Sequence, residues 1–217
     1  MTIIVQEYVD AAGVAPFAKW FNRIEANAAA RVTIALIRMQ KGNLSEVQGV
    51  GAGVYEYRIH YGPGYRVYFG KDGDQIIILL GGGTKKRQHK DVANAHAVWL
   101  DYKRRKNWRF DMTLTRDFKE TIQARVRRDA AFREALLKEG IDCLLAGDLE
   151  TGKSVLRDYI NATAGFEKLG AATGLSPKSL MRMFGPEGNP QTRNLFHIVA
   201  YLQKSEGVRL EVQAMRR

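Results

Sequence analysis

Residues 54–69 read VYEYRIHYGPGYRVYF, an alternation of large apolar and polar side chains broken by Gly62-Pro63-Gly64. Period-two alternation on both sides of such a break is the signature of an antiparallel hairpin. With those three residues as the loop, Tyr61 faces Tyr65, Ile59 faces Val67 and Tyr57 faces Phe69 on one side of the ribbon. That side is apolar and is expected to meet the core. The other side carries Glu56, Arg58, His60, Arg66 and Tyr68, with His60 opposite Arg66 and Arg58 opposite Tyr68. Two arginines, a histidine and a tyrosine are thus expected together on an open sheet face. A slip of one residue would exchange the faces, and a half-covered sheet also carries a polar outer face for solvation alone.

The next segment points further. Residues 81–91 read GGGTKKRQHKD. Glycines let a backbone come close to a phosphate, and Lys85, Lys86, Arg87 and Lys90 supply charge beside them, as RNA binding requires. The lysine is not followed by Ser or Thr and the glycine spacing differs, so this is not the phosphate loop of a nucleotide-binding protein. Across the 217 residues 34 basic side chains oppose 23 acidic ones, a net charge of +11. Ahead of Met112 the counts are 17 and 10, a net of +7; from there on they are 17 and 13, a net of +4. Both parts suit a polyanion, although composition alone fits an anionic membrane or mere solubility as well.

Around the hairpin the first half mixes helix and strand. Ile3, Ile4 and Val5 open it. Phe17, Trp20, Phe21 and Ile24, then Val32, Ala35, Leu36 and Met39, recur at helical spacing, and Gly42 ends the second helix. Gln75 to Leu80 reads as a buried strand and Val92 to Tyr102 as a closing helix. The basic run at 103–109 reads as a tail or linker, and Met112 looks like the start of a second protein. The expected domains are therefore 1–106 and 113–217, with 107–112 between them.

The second half is expected to be helical, with one strand at Val208 to Val212. Asp129 is placed as the cap of a helix containing Phe132, Leu136 and Leu137, and Thr151 as the cap of one containing Val155, Leu156, Tyr159 and Ile160. Phe166 to Thr173 then makes a short helix that Gly174 ends, and Ser176 caps a second that begins at Pro177 with Leu180 and Phe184 turned inward. Helix, glycine turn, helix is the layout of a DNA-reading pair, which leaves Lys178, Ser179, Met181 and Arg182 outward. Gln191 and Arg193 open the following helix, where backbone amides and a guanidinium can hold DNA phosphate.

No apolar run approaches the roughly 20 residues that span a bilayer, and MTIIVQEYVD is not of signal-peptide type. Cys143 is the single cysteine, so no intrachain disulfide forms; a small buried filler in a cytoplasmic protein is expected. His60, His89, His96 and His197 show no metal-ligand spacing, and neither a metal nor a cofactor is expected.

The first half resembles the RelE/ParE toxin superfamily, in its HigB-like addiction-module-killer branch. The resemblance rests on the arginine three residues ahead of the aromatic before the turn, the GPGYRVYF hairpin return, and the GG-x-K-x-x-Q-x-x-D run from Gly82 to Asp91. The second half, by GLSPKSLMRMFGPEGNPQTRNLFHIVAYL, is similar to HigA-like antitoxins of the Cro/CI helix-turn-helix class. The implied fold is an α+β domain, two N-terminal helices on a twisted antiparallel sheet, followed by an all-α domain. The implied activity is metal-independent cleavage of mRNA, often on the ribosome, by attack of a ribose 2′-hydroxyl on the adjoining phosphate. Arg58 and Arg66 would clamp that phosphate. Lys85 would act as base or acid if neighbouring cations depress its pKa, with His60 and Tyr68 as further proton-transfer groups. The second half would silence the first, in cis or between copies of an oligomer, and repress its own promoter on operator DNA. Asp117, Glu120, Asp129, Glu134 and Glu139 are its candidate partners for Arg58, Arg66 or Lys85, with Phe118, Ile122 and Phe132 as apolar anchors. Two other readings stay open: a DNA-binding repressor with an inert toxin fold, and a ParE-like gyrase inhibitor.

Overall fold

The computed structural model describes residues 3–107 and 114–213. Contacts divide the chain into two compact units, Met1–Arg125 and Val126–Arg217. The joint expected at 107–112 lies, Asn107 apart, outside the described residues, and the break between units falls beyond it, inside a helix.

The first unit runs β1 (Ile4–Tyr8), α1 (Pro16–Phe21), α2 (Ala26–Gln40), β2 (Val47–Gly51), β3 (Val54–Ile59), β4 (Tyr65–Asp72), β5 (Ile76–Thr84), α3 (Gln88–Asn107), β6 (Thr115–Asp117) and most of α4 (Phe118–Arg128). The six strands form one sheet in the order β2-β3-β4-β5-β1-β6. Strands β2 to β5 form an antiparallel meander, but β1 pairs with β5 in parallel, Val5 beside Ile77 and Glu7 beside Leu79. The expected antiparallel sheet is therefore mixed. The chain leaves β1 through two helices, enters the sheet at its far edge, and comes back alongside β1 four strands later in the same direction.

Both faces of this sheet are covered. Helices α1 and α2 pack against it, Phe17, Phe21, Leu36 and Met39 being fully buried. On the face that carries Val54, Tyr68, Ile78 and Leu80, helix α3 lays down Ala95, Trp99 and Tyr102 as one apolar cluster. Gly70 makes this possible: a Cβ there would lie 2.5 Å from the Trp99 ring, so only a bare backbone lets the indole rest on the strand. The outer face of the hairpin was expected to be open, and over most of its length it is not. Strand periodicity tells which side chains share a face; it does not tell what is laid over them. The basic residues from Lys103 to Lys106, expected in a tail or linker, belong to the last turns of α3, where Lys106 Nζ lies 2.5 Å from Asp72 Oδ1 and Arg105 Nη1 donates to the Tyr8 hydroxyl at 2.7 Å.

Strand β6 closes the other edge. It pairs antiparallel with β1, Thr115 beside Tyr8 and Asp117 beside Gln6, so β1 presents no free ladder to a further chain.

The second unit contains the end of α4, then α5 (Ala130–Leu145), α6 (Leu149–Ala162), α7 (Gly165–Thr173), α8 (Pro177–Met183) and α9 (Thr192–Glu206). The Asp129 carboxylate accepts from the Phe132 N–H at 3.0 Å and caps α5. Helix α6 begins a turn earlier than expected: Asp148 is its cap, accepting from the Thr151 N–H at 3.4 Å, while Thr151 itself is buried. Residues 208–212, expected as a strand, form none, and the Leu210 N–H donates to the Gln203 side chain at 2.7 Å. An isolated strand would leave its ladder unpaired in an otherwise helical unit. Among the described residues no helix is long and apolar enough to cross a membrane.

Candidate functional site

Arg58 and Arg66 stand directly opposite each other on β3 and β4. The register differs from the expected one by two residues, because Tyr61 belongs to the turn: its N–H donates to the Ile59 carbonyl and its own carbonyl accepts from the Gly64 N–H at 3.0 Å. Ile59 with Tyr65 is therefore the last strand pair. A shift of two keeps every side chain on its face but changes its partner. His60 thus does not stand opposite Arg66. It leaves the strand, its side chain 77% exposed, and Nε2 lies 2.9 Å from Glu46 Oε2.

Two guanidinium groups facing each other need a counter-charge, and Glu56 supplies it. Its carboxylate has no exposed surface; Oε1 accepts from Arg58 Nε at 2.9 Å. Oε2 accepts from Gln88 Nε2 at 2.9 Å and lies 3.2 Å from Arg66 Nε, an ion-pair distance without hydrogen-bond alignment. The Arg66 side chain is 10% exposed and that of Arg58 40%. Lys85 joins them at the strand end, where its N–H donates to the Gly64 carbonyl at 2.9 Å and Arg66 Nη1 lies 3.4 Å from that same oxygen. Lys85, Lys86, Arg87 and Lys90 are all exposed around this corner.

Tyr68 does not join the set as an accessible acid or base. It is 1% exposed, and its hydroxyl has no hydrogen-bond partner. Burial, then the charges of Glu56 and Asp91, push its pKa up to about 12, so at neutral pH it keeps its proton. It lines a cleft of about 160 Å³ together with Trp20, Gly82 and Asp91. The roles of Glu56 and Gln88 were not assigned from the sequence, yet a signal was there: K-x-x-Q-x-x-D sets Gln88 and Asp91 one turn apart at the start of α3.

A second buried carboxylate sits across the sheet. Glu7 on β1 accepts at Oε1 from Arg116 Nε at 2.9 Å and from the Thr121 hydroxyl. Burial raises its pKa, and Arg116 and Thr121 pull it back only in part. Phe118 and Ile122 of α4 are buried, and the Arg125 guanidinium donates to the Phe21 carbonyl and, at 2.8 Å, to that of Ile24. Residues 114–125 therefore dock through an edge strand, apolar anchors and two arginines. Asp117 and Glu120, expected to meet Arg58, Arg66 or Lys85, are exposed instead. Strand β6 stands three strand spacings from β4, about 14 Å. In the second unit Asp129 is occupied as a helix cap.

Within the second unit, α7 ends at Gly174, whose φ of +72° is the left-handed turn that glycine adopts freely. Ser176 Oγ then accepts from the Ser179 N–H at 3.2 Å and opens α8. A Cβ on Gly170 would fall 2.7 Å from the Leu175 carbonyl, so the helix and the turn meet at van der Waals contact. Leu180 and Phe184 are buried, while Lys178, Met181 and Arg182 are exposed and Ser179 is half-buried. The turn into α9 is pinned by buried Lys153, whose Nζ donates to the Gly188 carbonyl at 2.6 Å. Beyond it Gln191 and Arg193 are exposed at the start of α9. Among the described residues no three His, Cys, Asp or Glu side chains gather as a metal site.

No family model and no solved structure matches the chain. Among curated proteins it is 36% identical over 80 residues to an uncharacterised protein of Haemophilus influenzae, a stretch that makes up 36% of this chain and 81% of the relative. The chain belongs to the same family as that protein, which is less than half as long.

Proposed function

We propose that this chain is a toxin–antitoxin unit in one polypeptide, its first part an mRNA endoribonuclease and its second an antitoxin that also represses transcription. The observation that carries the reading is the corner where Arg58 and Arg66 stand opposite each other and Arg66 shares the Gly64 carbonyl with the backbone of exposed Lys85, followed by exposed Lys86, Arg87 and Lys90. Attack of a 2′-hydroxyl on the adjoining phosphate builds negative charge on the phosphorane oxygens, and two guanidinium forks with an ammonium beside them answer that charge without a metal. Lys85 is the exposed proton-transfer group of the set. The shortness of the Haemophilus relative supports the composite reading, since a shared stretch exists there without the rest of this chain.

In the second unit the capped α8 with its outer row of Lys178, Ser179, Met181 and Arg182 supports reading of a DNA groove, with Gln191 and Arg193 on phosphate. Residues 114–125 are the anchor by which the antitoxin part holds the toxin part, through strand addition to β1. The reading is tested in cells. Residues 1–107 expressed alone arrest growth, the full chain does not, and residues 114–217 supplied separately restore growth. Equal toxicity of the full chain, or a folded 1–107 that leaves growth untouched, overturns it.

A further inference from the structure

The buried carboxylate of Glu56 hydrogen-bonds Arg58 at Nε and meets the Nε edge of Arg66 as an ion pair. Oε1 takes the Arg58 Nε and Oε2 lies against the Arg66 Nε, with Gln88 fixing Oε2 from helix α3. Arg58, gripped at Nε, keeps its terminal Nη groups for an anion, and Arg66, whose Nη1 donates to the Gly64 carbonyl at 3.4 Å, keeps Nη2. We infer that Glu56 is a positioning residue, which aligns Arg58 and Arg66 so that their Nη groups converge on a single phosphodiester; this rests on the RNase reading of the same corner.

The charge balance supports the assignment. A carboxylate with no exposed surface would be costly by itself, and here two cations and an amide surround it. The set Glu56, Arg58 and Arg66 carries a net charge of +1, which matches one phosphodiester and leaves Lys85 to meet the second charge that develops on a phosphorane. Exposure differs between the two: the Arg58 side chain reaches solvent while that of Arg66, beside it on β4, is nearly enclosed. Gln88 extends the argument to α3. It ties the helix that covers the sheet to the carboxylate that sets the arginines.

The test uses the full chain, its Glu56→Gln variant, which removes the charge at nearly constant shape, and its Glu56→Asp variant, which keeps the charge and withdraws it by one methylene. Two readouts are taken: the Nε–H protons of Arg58 and Arg66 by NMR, and the affinity for an RNA tetranucleotide made non-cleavable by 2′-deoxy substitution. In the parent chain both Nε–H protons are expected to be protected from exchange and to stay so when the oligonucleotide is added, while the Nη signals move. Glu56→Gln is expected to lose the Arg58 protection and to bind the oligonucleotide about tenfold more weakly at low salt, a loss larger than any fall in thermal stability accounts for, since the forks are no longer held in one geometry. Weaker binding together with a matching loss of thermal stability would mean a purely structural role and would overturn the inference. So would Arg58 Nε–H protection that survives in Glu56→Gln. Glu56→Asp, which keeps the charge in place, is expected to lose protection and part of the affinity; unchanged protection there counts against the proposal too. A parent chain with both Nε–H protons protected that binds no oligonucleotide at all would sink the RNase reading while leaving the Glu56 contacts standing. Protons that exchange freely in the parent chain would sink the positioning role itself.

Discussion

At the scale of single residues, the arginines matter twice, for the fold and, in the proposed function, for the chemistry. Arg66 is almost enclosed and helps to neutralise a fully buried carboxylate, so Arg66→Ala leaves Glu56 with less compensation and is expected to cost roughly 3 kcal/mol of stability. Adding Glu56→Gln to Arg66→Ala should return most of that loss, which denaturant melts of the two variants would show. Both should be silent as toxins when placed in the 1–107 fragment. Tyr68 behaves differently. Its hydroxyl has no partner to lose, so Tyr68→Phe is expected to leave stability at neutral pH within about 1 kcal/mol and RNA cleavage intact. The sign at alkaline pH follows from its raised pKa. In the unfolded chain a tyrosine ionises near 10, while in the native chain Tyr68 holds its proton up to about 12. The native state therefore binds more protons between those values, and its stability falls as pH rises through them. Tyr68→Phe should make that fall shallower, without abolishing it, because burial raises Tyr102 and Tyr159 as well. An unchanged slope in melts from pH 9 to 12 would contradict the assignment.

At the scale of elements, the α8 row makes the clearest prediction. Arg182→Ala should weaken binding to the specific operator by about 1–3 kcal/mol if its guanidinium touches a base edge, whereas Arg193→Ala should weaken binding to every sequence and flatten the salt dependence. Titrations on operator and random duplexes at several salt concentrations separate the two. If the double variant still bound its operator with parent affinity, α8 would not be the reading helix. On the first unit, Gly70→Ala should cost at least 1–3 kcal/mol, since the new methyl meets the Trp99 ring and α3 must lift from the sheet. These elements also mark how far the sequence can be read. Caps were legible where a short polar side chain precedes a helix, as at Asp129 and Ser176, because that hydrogen bond is local. The faces of the hairpin were legible from its alternation. Its partners were not, since whether Tyr61 belongs to strand or turn is decided by one backbone hydrogen bond. Nor was the burial of Tyr68 legible, because the helix that covers it lies about thirty residues further on and its apolar row of Ala95, Trp99 and Tyr102 does not name its partner face. Glu56 read as one more charge on an outer face; only the helix laid across it, and the second arginine opposite Arg58, make it a hub.

At the scale of the whole molecule, the segment 114–125 changes the reading of how two parts share one chain. Sequence composition put a boundary ahead of Met112, yet residues beyond it complete the first unit's sheet and bury Phe118 and Ile122. Period and composition register where one pattern stops; they do not register that the first strand of the next segment pairs backwards. Glu7, Arg116 and Thr121 make that pairing specific. The central claim remains the cleavage reaction and its restraint. The most direct measurement incubates residues 1–107 and the full chain with translating ribosomes and mRNA, and maps the ends produced. The account predicts cuts by the fragment alone, leaving a 2′,3′-cyclic phosphate and a 5′-hydroxyl, absent from the full chain and from the Arg58→Ala/Arg66→Ala fragment. Equal cutting by fragment and full chain, undiminished cutting by the double variant, or a folded fragment that cuts nothing would contradict it.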